Sequence, residues 1–270
     1  MTKDKGKASK QIKTCGVNRI LEFHLADHCN LSCKHCAHYA PVAEPKYATM
    51  NEIAEAMRVV QLIRPRQMNV LGGEPLLHPD IDMILSYVGE RIPKGVNTFL
   101  TTNGILLEKM SDNFWEVIKE HDITIHISVY PMKIDYQSIV SLAKIKGVKL
   151  AGLDYPVLRF SAVRLAEDKG FDSRHAYSSC RAKCMQVRDG RLYPCSYSAY
   201  IEHINRHYGT SFAHEDGDYL LVDSILDAGM VEQWMREPKP FCSYCNYGNE
   251  SRLRWENSGE HDIEEWVERC

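Results

Sequence analysis

Between residues 20 and 153, short runs suited to strands alternate with longer runs at helical spacing, and this alternation restricts the fold more than any other feature. Leu21, Phe23 and Leu25 fall on one side of an extended segment, Glu22 and His24 on the other. Thr49-Met-Asn-Glu52 has the spacing of a capping box, after which Ile53, Met57, Val60 and Ile63 recur at helical intervals up to Pro65. Gln67–Leu71 predicts a second strand, and Pro79 suits the first residue of a helix whose apolar stripe is Ile81, Leu85 and Val88. Residues 97–101, 123–130 and 148–153 predict three more strands, separated by helices through Trp115 and Ile118 and over 135–146; 157–163 is a sixth candidate. Strand–helix alternation of this kind implies an α/β fold with a parallel sheet, and right-handed crossovers let such a sheet roll into a full or partial barrel.

The run 123–130 carries information about what the sheet encloses. Ile123, Ile125, Ile127 and Val129 share one face, and Thr124, His126, Ser128 and Tyr130 share the other. A sheet covered on both faces reads as continuously apolar, so a polar inner face predicts a lumen that holds a polar ligand; a wet edge strand is the plain alternative. The alternation stops near residue 165, which predicts a barrel over 19–165, an accessory region over 166–250 and a C-terminal segment over 251–270. Residues 1–18, with Lys3, Lys5, Lys7, Lys10 and Lys13, read as a disordered basic tail.

Net charge is −3, which gives no global reason to expect nucleic acid or an anionic membrane as partner. No apolar run approaches the ~18 residues that span a bilayer, and the N-terminal stretch lacks the apolar core of a signal peptide, so the expected location is cytoplasmic. In a reducing compartment the 10 cysteines read as metal ligands or redox groups before they read as disulfides.

Cys29, Cys33 and Cys36 form a CxxxCxxC array just after the first strand. Thiolates are soft ligands for zinc or for iron–sulfur clusters. Three close cysteines hold three corners of a cubane and leave one iron open to a chelating ligand. A structural zinc knot is the alternative, with a fourth ligand drawn from His28, His35 or His38.

With Gly72-Gly73-Glu74-Pro75 ending the second strand and Thr101, Thr102, Asn103 and Gly104 ending the third, residues 19–165 resemble the radical S-adenosylmethionine (SAM) superfamily. The resemblance implies a (β/α)6 partial TIM-like barrel and a catalytic [4Fe–4S] cluster on Cys29, Cys33 and Cys36 that cleaves SAM reductively to initiate hydrogen abstraction. It also implies SAM contacts from Gly72, Gly73, Glu74, Pro75, Thr102, Asn103 and Ser128. Relatives often carry an aromatic residue near the adenine where this chain has His35.

Cys180, Cys184, Cys195, Cys242 and Cys245 follow the barrel. Asp189-Gly190 is a hairpin turn signal, and a hairpin centred there sets Cys184 opposite Cys195. Cys180, Gly190 and Cys195, with Cys242 and Cys245 as a CxxC, resemble instead the small auxiliary-cluster extension known as the twitch domain. Hairpin geometry favours Cys184 as ligand and the motif favours Cys180; the fifth cysteine is then a thiol near the substrate or an inert one. Overall length and one twitch-type cluster resemble radical SAM dehydrogenases of aminocyclitols. The surroundings of the cysteines, His28 to Leu31 and His38 to Pro41, resemble radical SAM proteins encoded beside glycosyltransferases. These resemblances imply a sugar-like small-molecule substrate, oxidation of a hydroxyl with Tyr130, His126 or Arg159 around it, a second [4Fe–4S] cluster that accepts the leftover electron, and a flavodoxin- or ferredoxin-type donor. Epimerisation with a cysteine such as Cys184 or Cys270 as hydrogen donor, peptide modification, and a non-catalytic zinc-binding module that presents Tyr193, Tyr197, Tyr200, Tyr244 and Tyr247 to a partner are the alternatives.

Overall fold

The computed structural model describes residues 20–269, so the expected basic tail, Cys15 and Cys270 lie outside the described residues. Five strands, β1 (Ile20–His24), β2 (Gln67–Leu71), β3 (Asn97–Thr102), β4 (Thr124–Ile127) and β5 (Leu150–Ala151), run parallel in the order β5-β4-β3-β2-β1. Between them lie α1 (Met50–Ile63), α2 (Ile81–Arg91), α3 (Asp112–Glu120) and α4 (Tyr136–Lys146). This is the α/β fold of a partial TIM-like barrel, followed by a small C-terminal extension.

Local sequence accounts for the helix ends. Thr49 and Glu52 form the reciprocal capping box at α1. The helix expected from Pro79 begins two residues later, at Ile81, with Asp80 at the N-cap position but making no side-chain cap bond. Leu21, Phe23, Met68, Val70, Leu100, Ile125 and Ile127 face the helices and pack on Ile53, Val60, Ile84, Leu85 and Phe114 in one core. The opposite faces of the strands, with Glu22, Asn69 and His126, are polar, as the alternation in 123–130 predicted.

The sixth repeat differs from expectation. β6 (Arg159–Ala162) forms within 157–163 but leaves the parallel sheet and pairs antiparallel with β10 (Ser251–Arg254). The free edge of β1 is taken by β7 (Met185–Arg188), which is parallel to it, and the sheet continues through β8 (Arg191–Tyr193) and β9 (Leu220–Leu221). The β7–β8 turn sits at Asp189-Gly190 as predicted, and both residues adopt positive φ (48° and 71°), which the turn requires. Met185, Val187, Leu192, Val222 and Val231 join the barrel core, so hydrophobic packing runs on past residue 165.

The remaining elements are α5 (Ser173–Ser179), α6 (Ser196–Ala199), α7 (Ile201–Tyr208) and α8 (Ala228–Trp234), with a 3-10 helix at Pro240–Tyr244 that packs on α5. Tyr193, Tyr197, Tyr200, Tyr244 and Tyr247 are all buried, in a second core with Tyr39, Ile204, Phe241 and Trp266. They hold this region together and leave no tyrosine face for a partner, contrary to what the interaction-module alternative requires. No helix among the described residues is long and apolar enough to cross a membrane.

Candidate active site

The carboxyl ends of β1–β4 converge on a cavity of about 140 Å3 whose lining includes Cys29, Cys33 and Cys36. Ligand sites of parallel sheets lie at this end because the connecting loops gather there. A larger hollow, about 870 Å3, lies outside the barrel between α2 and α3 and contains no cysteine, so size alone does not mark the site.

Each sulfur meets N–H donors. Cys29 Sγ accepts from the Leu31 backbone at 3.3 Å and from Asn103 Nδ2 at 3.8 Å. Cys33 Sγ accepts from the Trp255 indole Nε1 at 3.3 Å. The backbone N–H groups of His38, Tyr39 and Ala40 point at Cys36. His35 and Tyr39 flank Cys36 with φ near +59° and +55°, and this left-handed backbone helps turn the N–H groups inward. Burial pushes all three thiols above their ordinary pKa. N–H groups aimed at sulfur favour the thiolate, while burial without a counter-charge opposes it. The two are reconciled when the sulfurs ligate a cationic metal centre.

Three soft thiols beside an open cavity are a donor set that fits a cubane with one iron left free. Of the histidines that the zinc alternative needs, His35 Nδ1 meets the Glu265 carbonyl at 3.0 Å and His38 Nδ1 pairs with His24 Nε2 at 2.7 Å, while His28 packs edge-on against Tyr47 with its Nδ1 buried and unbonded.

Gly72 and Gly73 line the cavity, but their lack of side chains serves the protein first. A Cβ on Gly72 would stand 2.3 Å from the Ala26 carbonyl oxygen, and one on Gly73 2.3 Å from that of His28. Gly73 N donates to Ala26 O at 2.8 Å and Glu74 N to His28 O at 3.1 Å, which locks this turn to the entrance of the cysteine loop. Glu74 is turned away from the cavity and buried. It accepts from Thr102 Oγ1 at 2.6 Å, Asn103 N at 2.9 Å and Leu76 N at 3.1 Å, and burial, against these bonds, pushes its carboxyl up to about 7. It therefore positions Thr102 and Asn103, which line the cavity with Thr101 and Ser128. Pro75 starts the short 3-10 helix behind it and does not reach the cavity.

Of the three residues expected around the reacting hydroxyl, only Tyr130 lines this cavity. It stacks on Trp255 at 5.1 Å, and burial holds its phenol well above its usual pKa. His126 lies deeper in the lumen, edge-on to Phe99, with Nδ1 buried and unbonded. Arg159 is exposed and donates to the Arg252 carbonyl, because the strand that carries it left the sheet. His35, expected near the adenine, is held by Glu265 outside the cavity lining.

A buried polar chain behind the site was not legible in the order of residues. His38 faces the cavity, its Nδ1 meets His24 Nε2, and His24 Nδ1 meets Asp27 Oδ1 at 3.2 Å. Arg188 on β7 binds both Asp27 oxygens, at 2.9 and 3.0 Å. Burial pushes the Asp27 carboxyl up, but the His24 hydrogen bond and the Arg188 guanidinium outweigh it and hold the group well below the usual carboxylate range. Burial lowers His24 and His38 to about 4, so both are neutral at pH 7. A neutral His24 that donates from Nδ1 to Asp27 accepts at Nε2, so His38 donates from Nδ1 and leaves its Nε2 as an acceptor; the tautomers follow from the network.

The five later cysteines separate into four and one. Cys180 caps α5, Cys195 precedes α6, and Cys242 and Cys245 lie at the Pro240–Tyr244 turn. Cys180, Cys195 and Cys245 each sense the charge of others in the set, and Cys242 is the neighbour that all three share. Cys184 lies against the Glu22 carboxylate of β1, and burial together with that carboxylate, and less so Cys180, pushes its thiol up. The expected pairing of Cys184 with Cys195 does not form. The ladder ends at Gln186↔Tyr193, and Pro194 then leads into α6.

Residues 24–140 match the family model described as the Radical SAM superfamily. A stretch of 142 residues, 51% of this chain and 44% of that protein, is 30% identical to a probable GTP 3′,8-cyclase of Pyrococcus horikoshii. A GTP 3′,8-cyclase of Clostridium botulinum is 24% identical over 249 residues, 84% of this chain and 76% of that protein. Against a probable GTP 3′,8-cyclase of Methanococcus maripaludis the match spans 43% of the relative's length. Among solved structures, BtrN in complex with AdoMet and 2-DOIA aligns with a TM-score of 0.49 and 15% identity over 84% of this chain and 92% of that chain.

Proposed function

We infer, from the match of residues 24–140 to the Radical SAM superfamily model, that the chain is a radical SAM oxidoreductase that removes hydrogen from a hydroxyl-bearing carbon of a sugar- or aminocyclitol-like small molecule. When bound, SAM and a [4Fe–4S] cluster supply one-electron cleavage to a hydrogen-abstracting 5′-deoxyadenosyl radical. Cys29, Cys33 and Cys36 would hold that cluster, and the Gly72-Gly73 turn with Thr102, Asn103 and Ser128 would seat SAM. Leu31, Phe160 and Trp255 provide apolar walls that exclude water.

The observation that carries oxidation as the outcome is the second, separate thiol group. Cys180, Cys195, Cys242 and Cys245 are the set we assign to an auxiliary [4Fe–4S] cluster able to accept the electron that oxidation leaves over. His38 is the residue best placed to take the hydroxyl proton. His38 lines the cavity, its Nε2 is the acceptor that the tautomers leave free, and Asp27, through His24, would stabilise the charge that the pair acquires. Anaerobic reconstitution followed by metal and sulfide analysis is the first test. About eight iron and eight sulfide per chain are expected. With four iron and a zinc the electron acceptor would be lost, and the oxidation reading with it. Loaded enzyme is then offered cyclitols and sugars, and formation of a ketone in step with 5′-deoxyadenosine is the expected result.

Epimerisation is supported by one specific feature, the thiol of Cys184. It is the thiol left over from the assigned set, and it lies beside Glu22, a residue of the lumen face. Under that reading Cys184→Ala stops product formation in D2O, while the wild type incorporates one solvent deuterium.

A further inference from the structure

The pairing of β6 with β10 places Arg254 opposite Arg159 and Arg252 opposite Ser161. Cross-strand partners share a face, so Arg159, Arg252 and Arg254 all project from one side of a two-stranded ribbon and are exposed. Like charges directly opposite each other destabilise a ladder. Among the described residues no ion pair engages these three arginines, although the chain as a whole carries a net charge of −3. Arg181 extends the basic surface. It and Arg252 line a neighbouring hollow of about 540 Å3, in which Glu250 is the one acidic residue.

The reverse face of the ribbon belongs to the active site. Phe160 lines the thiol cavity and meets Tyr130 edge-on. β10 runs directly into Trp255, which is buried and whose indole N–H reaches Cys33 Sγ at 3.3 Å. One layer of side chains therefore separates an unpaired basic surface from the sulfur of Cys33. The hollow at Arg252 also adjoins Tyr247, whose phenol senses Cys180 of the second thiol group.

We propose that the arginine face of the β6–β10 ribbon is the docking surface for an acidic one-electron carrier protein, of the flavin or iron–sulfur kind, that reduces the centre held by Cys29, Cys33 and Cys36. This rests on the radical SAM reading above. In each turnover the carrier is oxidised by one electron and the centre is reduced by one; docking itself makes and breaks no covalent bond. A patch of this sign on an acidic chain steers an acidic partner to this face and repels it elsewhere.

The test uses full-length loaded enzyme, flavodoxin as the protein probe and dithionite as a reductant that needs no docking. In the R252E/R254E variant the affinity for flavodoxin is expected to fall by roughly ten-fold or more. Flavodoxin-driven formation of 5′-deoxyadenosine falls with it, and dithionite-driven formation stays at the wild-type level. R252K/R254K, which keeps the charge, retains most of the flavodoxin affinity. Wild-type flavodoxin affinity in the R252E/R254E variant overturns the proposal. So does tighter binding of wild type to a single-stranded oligonucleotide than to flavodoxin, if the double reversal abolishes it. If even wild type forms no 5′-deoxyadenosine with dithionite, the radical SAM reading fails, and the flavodoxin affinities still decide the docking surface.

Discussion

The two thiol groups are built in opposite ways. Cys29, Cys33 and Cys36 lie within eight consecutive residues at the end of β1, and the fold comes to them: β2, β3 and β4 bring polar groups, and the C-terminal segment closes over the loop. Ser32 N binds Asn257 Oδ1 at 2.7 Å, Lys34 N binds Glu256 O at 3.0 Å, and Trp266 Nε1 binds Cys36 O at 3.0 Å. Cys180, Cys195, Cys242 and Cys245 are drawn from three separate segments, none a barrel strand, and are held in a shell of buried tyrosines. The first arrangement leaves one side open on a cavity, as a centre that must bind a further ligand requires. The second offers four thiols and suits a closed centre that only exchanges electrons.

This contrast is broken most directly at the first group. Cys29→Ala is expected to abolish 5′-deoxyadenosine formation altogether, measured by chromatography after anaerobic reconstitution. Normal yield from that variant would remove the triplet from the chemistry. Replacing both Cys242 and Cys245 with alanine is expected to lower iron by about half and to spare SAM cleavage driven by dithionite. Unchanged iron would mean that the four thiols hold no cluster.

The next prediction concerns how the two regions are joined. Arg188, on the hairpin that leads to the second group, is ion-paired with Asp27, two residues before Cys29, and both side chains are at most 9% exposed. Arg188→Met strands a buried carboxylate and should cost about 3–5 kcal/mol in urea unfolding of the metal-free protein. A cost below 1 kcal/mol would show that the joint is not electrostatic.

The same polar chain predicts a pH dependence. Burial lowers His24 and His203 to about 4, below the value near 6.5 of an unfolded imidazole. The unfolded chain therefore binds more protons between these values, and stability is lost as pH falls from 6.5 to 4. For the fully buried His24 the loss amounts to about 3 kcal/mol. Urea midpoints of metal-free protein at pH 7 and pH 4.5 would check this, and equal midpoints would contradict it.

The smallest effect separates Cys184 from its neighbours. Cys184→Ala should leave iron content unchanged and shift stability by no more than about 1 kcal/mol. Loss of iron would return Cys184 to the ligand set.

What was legible in the sequence was local. Capping at Thr49 and Glu52, helical spacing from Ile53 to Ile63 and the Asp189-Gly190 turn depend on residues a few positions apart, and all three appear as read. The cysteine triplet was equally plain, because a short spacing survives any tertiary arrangement. Contacts between distant segments were not legible. Nothing near Arg159 indicates that its strand pairs with residues 251–254 and abandons the sheet. Trp255 lies 222 positions from the sulfur that it meets. The chain His38–His24–Asp27–Arg188 draws on three stretches whose polar residues read individually as loop or strand-face chemistry. For Cys184 the turn was read correctly and the inference from it failed, because a ladder can stop where the next helix begins.

The central claim is that the triplet holds a redox centre that cleaves SAM. Reconstituted wild-type protein and Cys29→Ala, each incubated with SAM and dithionite without oxygen, test it in one assay of 5′-deoxyadenosine. Product is expected from the wild type and none from the variant. Equal product from both, or none from a wild type carrying about four iron or more per chain, would contradict it.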